Sequence, residues 1–376
     1  AIAPSRRDIE PIESTTFFSI IIPTYNTNPI HLRECIDSIL GQSYTHWEIC
    51  IADDASSNTQ TKKVLRSLLK VIPEGKIKIK YRENNGHICA ASNDAIDMAT
   101  GDFLVLVDHD DTLHSDALYW IAKCISNHPN VNLLYTDEDK ICPRTNTLYE
   151  PHHKPAFNLN LLLSYNYISH LCVYKRSIVN KIHGFRLGYE GSQDYDLTLR
   201  VIAESQKHQI AHIPLPLYHW RVHEQSTASN SLAKDYTSEA GLLAVKDFLR
   251  RKNLNHKFLV SSSANIVKPN RYRVVYSVDQ SKEPSVDLII PTKDKPEILE
   301  LAVKSIMEKT TYSNYIVTIV DNQSSEKETF DLFASLKKRY QDKIRILTYD
   351  KPFNYSAINN YAVSRTAAEV VGLVNN

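Results

Sequence analysis

Residues 17–22 form a short apolar run closed by Pro23; strand-like segments recur at residues 47–52, 77–81 and 103–107, the last of them very apolar. Each run stops at polar residues: Tyr25-Asn26, Asp53-Asp54, Asn84-Asn85-Gly86 and Asp108-His109-Asp110-Asp111. Helical periodicity fills the gaps, at 30–40, 59–69 and 88–99; in the first, Leu32, Cys35, Ile36 and Ile39 share one face. Apolar strands alternating with helices predict right-handed crossovers and a parallel sheet buried on both faces. Ligands of such sheets bind at the carboxyl ends of the strands, where these polar residues stand.

The rest of the 376-residue chain is more mixed. The pattern predicts a helix over 116–126, a strand over 132–135, a helix near 194–203 and a strand over 210–218. A helix over 236–252 would turn Leu242, Leu243, Val245, Phe248 and Leu249 inward, and a β-rich connector would follow to 285. The opening pattern then returns. Pro23 and Pro291, and likewise Asp53 and Asp321, are 268 residues apart (291 − 23 and 321 − 53). Two agreeing offsets predict a duplication. The expected organisation is a polar lead-in at 1–16, a first domain at 17–235, a connector at 236–285 and the first half of a second copy at 286–376. Lys293 replaces Tyr25 in that copy, which is expected to be catalytically silent.

A net charge of +1, from 44 basic and 43 acidic residues, gives no field suited to nucleic acid, and no nucleic-acid partner is expected. The lysines alternating through residues 76–80 predict one solvated strand face. Cys35, Cys50, Cys89, Cys124, Cys142 and Cys172 form no CxxC pair; several sit in apolar periodic segments where a free thiol packs as a small hydrophobe, which suits a reduced, cytoplasmic setting. No apolar run reaches the ~18 residues of a membrane span.

Asp108-His109-Asp110 at the mouth of a strand is chemically suggestive. A divalent ion bridging a diphosphate takes one or two carboxylates and leaves positions for phosphate oxygens and water. The tripeptide alone equally describes a solvated loop.

The segments SIIIPTYN, CIDSILGQSYTHWEICIADDAS, NNGHICAASNDAIDMATGDFLVLVDHDD and GSQDYDLTLR together resemble the inverting family 2 glycosyltransferases of GT-A fold. The resemblance covers about residues 17–227 and, in part, 286–376. The tracts YTDEDK, HHKPAFNLNLLLSYNYISHL and YHWRVHEQSTAS further resemble multidomain bacterial O-antigen and capsule transferases, some of them rhamnosyltransferases.

The resemblance implies an α/β GT-A fold with a mainly parallel central sheet, followed by a partial second copy. It implies a nucleotide-diphosphate sugar donor, Mn²⁺ or Mg²⁺ as cofactor, and a glycan or lipid-linked saccharide acceptor. It places the protein in the cytoplasm, at the inner face of a bacterial membrane that it meets peripherally through the acceptor. Pro23 and Tyr25 would lie beside the base, Asp54 would accept from the base imide, and Asn85 and Gly86 would line the ribose and diphosphate path. Asp108 would contact ribose or metal, Asp110 would be the principal metal ligand, His223 would complete the metal shell, and Arg221 would pair with phosphate. Asp194 would be the general base, with Asp196 as competitor; Gln193 departs from the acid usual before it. Ser92 stands where relatives carry a basic residue. Asp137, Glu138 and Asp139 would face the acceptor or simply end a strand.

Two other readings stay open: a non-catalytic glycan- or nucleotide-sugar-binding module, and a sugar-phosphate nucleotidyltransferase. Only nine glycines and no glycine-rich phosphate loop argue against the latter and against a dinucleotide dehydrogenase.

Overall fold

The computed structural model describes residues 12–142, 145–222, 231–253, 258–262, 270–276 and 283–375. The chain divides into two compact units, Ala1–Ser277 and Val278–Asn376.

The first unit begins β1 (Phe18–Thr24), α1 (Pro29–Leu40), β2 (Trp47–Asp53), α2 (Thr59–Val71), β3 (Ile77–Tyr81), α3 (His87–Asp97) and β4 (Phe103–Leu106). It continues β5 (Thr112–Leu113), α4 (Ala117–Asn127), β6 (Leu133–Ile141), β7 (Leu148–His152), α5 (Leu159–Ser164), β8 (Cys172–Lys175), α6 (Arg176–Lys181), α7 (Gln193–Ala203), β9 (Ile210–Arg221), α8 (Ser231–Arg251), β10 (Phe258–Ser262) and β11 (Tyr272–Tyr276).

The main sheet runs β3-β2-β1-β4-β8-β6-β9-β5, with β7 on β6. Its first four strands are parallel, as the crossovers predict. The sequence also sets which way each side chain points. Along β1, Ile20 and Ile22 join the core under α1 and α2, while Ile21 joins the opposite core under α3, α7 and α8. A strand covered on both faces is mostly apolar, and in the interior of β1 the one polar side chain, Ser19, is satisfied by donating to buried Glu48 at 2.7 Å. The helices start where the caps place them: Asn28 Oδ1 accepts from Ile30 N, with Pro29 at the first turn, and Asn58 Oδ1 accepts from Gln60 N.

Three expectations need correction. The lysines of β3 are not a plain solvated face. Lys78 pairs with buried Glu48 at 2.6 Å, and Lys80 pairs with Asp94 at 2.7 Å, as suits an edge strand guarded by charge. Leu243 is 42% exposed; the inward stripe of α8 is Ala240, Ala244, Val245, Phe248 and Leu249. Strands β6 and β9 also run further than expected. They pair in parallel through two register shifts at Asp137, which step over Pro214 and Leu215 and then Leu217 of β9, leaving Pro216 opposite Asp137. Moreover, α8 and β11 pack Val245, Phe248 and Tyr272 into the same core as α7.

The second unit contains β12 (Val286–Thr292), α9 (Pro296–Lys309), β13 (Tyr315–Asp321), α10 (Lys327–Tyr340), β14 (Ile344–Thr348), α11 (Tyr355–Val363) and β15 (Val370–Leu373). Its order, β14-β13-β12-β15, repeats β3-β2-β1-β4. The register repeats too: Thr24 lies opposite Asp53 as Thr292 lies opposite Asp321. Corresponding loop bonds recur, Asn26 N to Ser56 Oγ and Asp294 N to Ser324 Oγ, both 2.8 Å.

Candidate functional site

A cleft of about 590 Å³ opens at the carboxyl ends of β1 and β4. Its walls come from both halves of the first unit. Pro23 and Asp108 lie at strand ends, and His87, Ile88 and Ser92 come from the start of α3. Ser169 and His170 precede β8, Gln193 and Asp194 open α7, Trp220 belongs to β9, and Thr237 and Asn270 come from the segment beyond. Of the residues singled out in the sequence, Pro23, Asp108 and Asp194 therefore meet in one cavity.

The turn after β4 is tight. Val107 N donates to Ile21 O at 3.1 Å, and Asp111 N donates to Asp108 O at 3.2 Å. Asp111 is buried and supports the turn: Oδ2 accepts from the Tyr218 hydroxyl at 2.5 Å and Oδ1 from Arg221 N at 2.7 Å. Burial, then repulsion from Asp108 and Asp110, pushes its carboxyl well above the ordinary range. Asp110 sits outside the cleft wall, with Oδ1 3.6 Å from His109 Nδ1.

Among the described residues, no three His, Cys, Asp or Glu side chains gather to hold a metal by themselves. His223 lies outside the described residues. What the turn offers is crowded, hard carboxylate oxygen, which fits Mg²⁺ or Mn²⁺ sharing its shell with phosphate and water, not an all-protein cage. Arg221 does not line the cleft. Its Nε donates to Asp110 O at 2.8 Å and its Nη2 pairs with Glu34 at 2.7 Å, so its charge is engaged beneath the turn.

At the other end, the Tyr25 ring is 49% exposed. Asp54 Oδ1 accepts from Gly86 N at 2.8 Å and lies 2.9 Å from Arg82 Nε. Asn85 Nδ2 donates to Asp54 O at 3.2 Å. These bonds set the turn that starts α3. A Cβ at Gly86 would come within 2.5 Å of Arg82 Nη2, so a side chain there would push the guanidinium aside. Buried Asp53 accepts from Ser56 N at 3.3 Å through Oδ2, while its Oδ1 has no partner among the described residues.

The two aspartates of α7 separate cleanly. Asp196 is held by Arg200 Nε at 2.8 Å and by Arg186, whose Nη1 also reaches Asp247 at 2.9 Å. It faces away from the cleft. Asp194 faces into it from the first helical turn, and Asn166 Nδ2 donates to its Oδ2 at 2.8 Å. Burial raises its carboxyl above the ordinary value; His170 and the backbone N–H of Tyr195 oppose the rise. The neighbouring Gln193 places in the same wall a buried Oε1 with no partner among the described residues.

Asp137 and Asp139 are buried and satisfied within the fold, at 2.8 Å from His212 and 2.6 Å from His219. Sequence reasoning missed Asn166, His170 and Trp220. His170 Nε2 lies 3.7 Å from Asp108 Oδ2, and its ring stacks on Tyr218 at 4.8 Å. The only signal for Asn166 and His170 was polar residues interrupting the apolar tract at 161–172; Trp220 stood in the tract beginning at Tyr218, where Arg221 and His223 drew the attention.

The sequence pattern of glycosyl transferase family 2 matches residues 19–183 and again 287–376. An uncharacterised protein of Sinorhizobium fredii is 39% identical over 97% of this chain and 39% of its own length. The O-antigen biosynthesis protein RfbC of Myxococcus xanthus is 33% identical over 95% of this chain, which spans 27% of that protein. Among solved structures, residues 1–349 of Staphylococcus aureus TarS in complex with UDP-GlcNAc share the fold. The TM-score is 0.52 at 18% identity, covering 64% of this chain and 70% of that one. No helix of the described residues is long and apolar enough to cross a membrane.

Proposed function

The chain belongs to glycosyl transferase family 2, and from that premise we propose that its first unit is a metal-dependent, inverting transferase. It moves a sugar from a nucleotide-diphosphate donor to a hydroxyl of a bacterial surface glycan or lipid-linked saccharide. The observation that carries this reading is that Asp194 and Asp108, from opposite halves of the unit, line one cleft.

Asp194 takes the proton of the acceptor hydroxyl as its oxygen attacks the anomeric carbon; the bond to the donor diphosphate breaks on the opposite side. Pro23, Tyr25 and the Asp53-Asp54 pair receive the base. The start of α3 lines the cleft and turns the positive end of its dipole toward the diphosphate path, its first N–H groups, of Gly86 and His87, being held by Asp54 and Asn85. That arrangement supplies the positive end which Ser92 does not. Asp108 and Asp110 are the residues that would hold Mg²⁺ or Mn²⁺, and such an ion offsets charge on the leaving nucleotide.

A panel of UDP-, GDP- and dTDP-sugars, scored by thermal stabilisation and donor hydrolysis with and without Mn²⁺, tests the proposal. One donor class should stabilise the chain and turn over only with metal, and Asp110→Ala should lose both effects. Full turnover in EDTA or in Asp110→Ala contradicts metal dependence. No response to any donor contradicts the transferase reading and favours a glycan-binding module.

A further inference from the structure

The segment at 165–171, between α5 and β8, carries the two polar side chains that meet the acids of the cleft: Asn166 at Asp194 and His170 at Asp108. What fixes this segment lies underneath it. The side chain of Lys154 is fully buried. Its Nζ donates to Ile168 O at 2.6 Å and to His170 O, and pairs with Glu138 Oε2 at 3.1 Å. That same carboxylate oxygen accepts from His170 N at 3.1 Å. An ammonium has three donors, and all three are placed: two on the segment and one on β6.

This is a costly way to fill space. An ion pair of this burial is often no more stabilising than apolar residues of the same volume. What charge supplies and an apolar residue cannot is direction, because the three bonds dictate where two carbonyls of the segment, those of Ile168 and His170, must lie.

We propose that Lys154, seated on Glu138, is a positioning residue for the acceptor side of the cleft. It sets the 165–171 segment so that Asn166 orients Asp194 and His170 stands against Asp108. The proposal rests on reading Asp194 as the base.

The test uses the full chain and Lys154→Met, which keeps length and removes the donors. Three quantities are read: hydrogen exchange over 165–171, the affinity for UDP, GDP or dTDP with Mn²⁺, and turnover of whichever nucleotide sugar the unaltered chain hydrolyses. Exchange should quicken and kcat should fall about tenfold or more. Nucleotide affinity should stay within about twofold, since the base-side residues are on other elements. Lys154→Gln, which keeps one donating group, stands in if Lys154→Met does not fold, with smaller changes in the same direction. Glu138→Gln leaves the buried ammonium without its counter-charge and should quicken exchange over 165–171 in the same direction.

Unchanged exchange, or unchanged kcat in a folded Lys154 variant, overturns the proposal. So does a loss of nucleotide affinity equal to the loss of kcat, which would mark a general structural defect. Asp194→Asn separates the two levels. If it turns over normally, the reading of Asp194 fails and the positioning role falls with it, while exchange in Lys154→Met still reports the Lys154 contacts by themselves.

Discussion

Asn166 donates from its side-chain amide to Asp194 Oδ2 across 2.8 Å, joining the segment before β8 to the first turn of α7. The bond fixes the carboxylate's rotation and favours its charged form against burial, which raises its pKa. A base must be deprotonated to act, so turnover falls as pH drops through that raised pKa. Asn166→Ala removes a donor to the charged form. The acid limb of the pH–rate profile should therefore move to higher pH, with kcat reduced about tenfold. An acid limb that stays in place would show that the amide does not act on Asp194.

Asp196 has a different task and a different signature. Arg200, only 3% exposed in its side chain, and Arg186 both depend on it. Asp196→Asn leaves buried guanidinium charge without its counter-ion, and should cost about 3–5 kcal/mol of stability. A denaturant titration checks this. Near-wild-type stability together with lost turnover would reverse the roles of the two aspartates.

The parallel half of the sheet was legible in the sequence because its strands are short, largely apolar segments that alternate with helical periodicity and stop at polar residues. The repeat was legible for the same reason. The acceptor side was not. Lys154, Glu138 and His170 are charged or polar residues buried by long-range pairing, and no local period announces a pair such as Glu138 and Lys154 in which each partner is needed to tolerate the other. Arg221 shows the converse. Its position after the last core strand suggested phosphate, yet the fold brings Glu34 from α1 within 2.7 Å of it. The choice between Asp194 and Asp196 likewise turns on Arg186 and Arg200, which local sequence does not connect to either acid.

The Glu138 pairing should be visible as acid sensitivity. Burial acts to raise its carboxyl, but His152 and Lys154 outweigh burial and bring it from the ordinary 4.5 down to about 2. A depressed folded value contributes stability above the unfolded pKa and loses it as pH falls through the folded one. The difference is worth about 3 kcal/mol, present above pH about 4.5 and fading toward pH 2. Urea unfolding against pH should show a flatter acid slope for Glu138→Gln than for the unaltered chain; equal slopes would contradict the pairing.

The central claim is that Asp194 takes the acceptor's proton in a cleft whose opposite wall binds the donor nucleotide. The direct measurement is single-turnover transfer by Asp194→Asn, beside its Mn²⁺-supported affinity for the nucleoside diphosphate. The substitution keeps shape and removes basicity. Transfer should fall by about 10²-fold or more, with nucleotide affinity unchanged. Transfer at the unaltered rate, or a loss of nucleotide affinity that accounts for the whole defect, would contradict it.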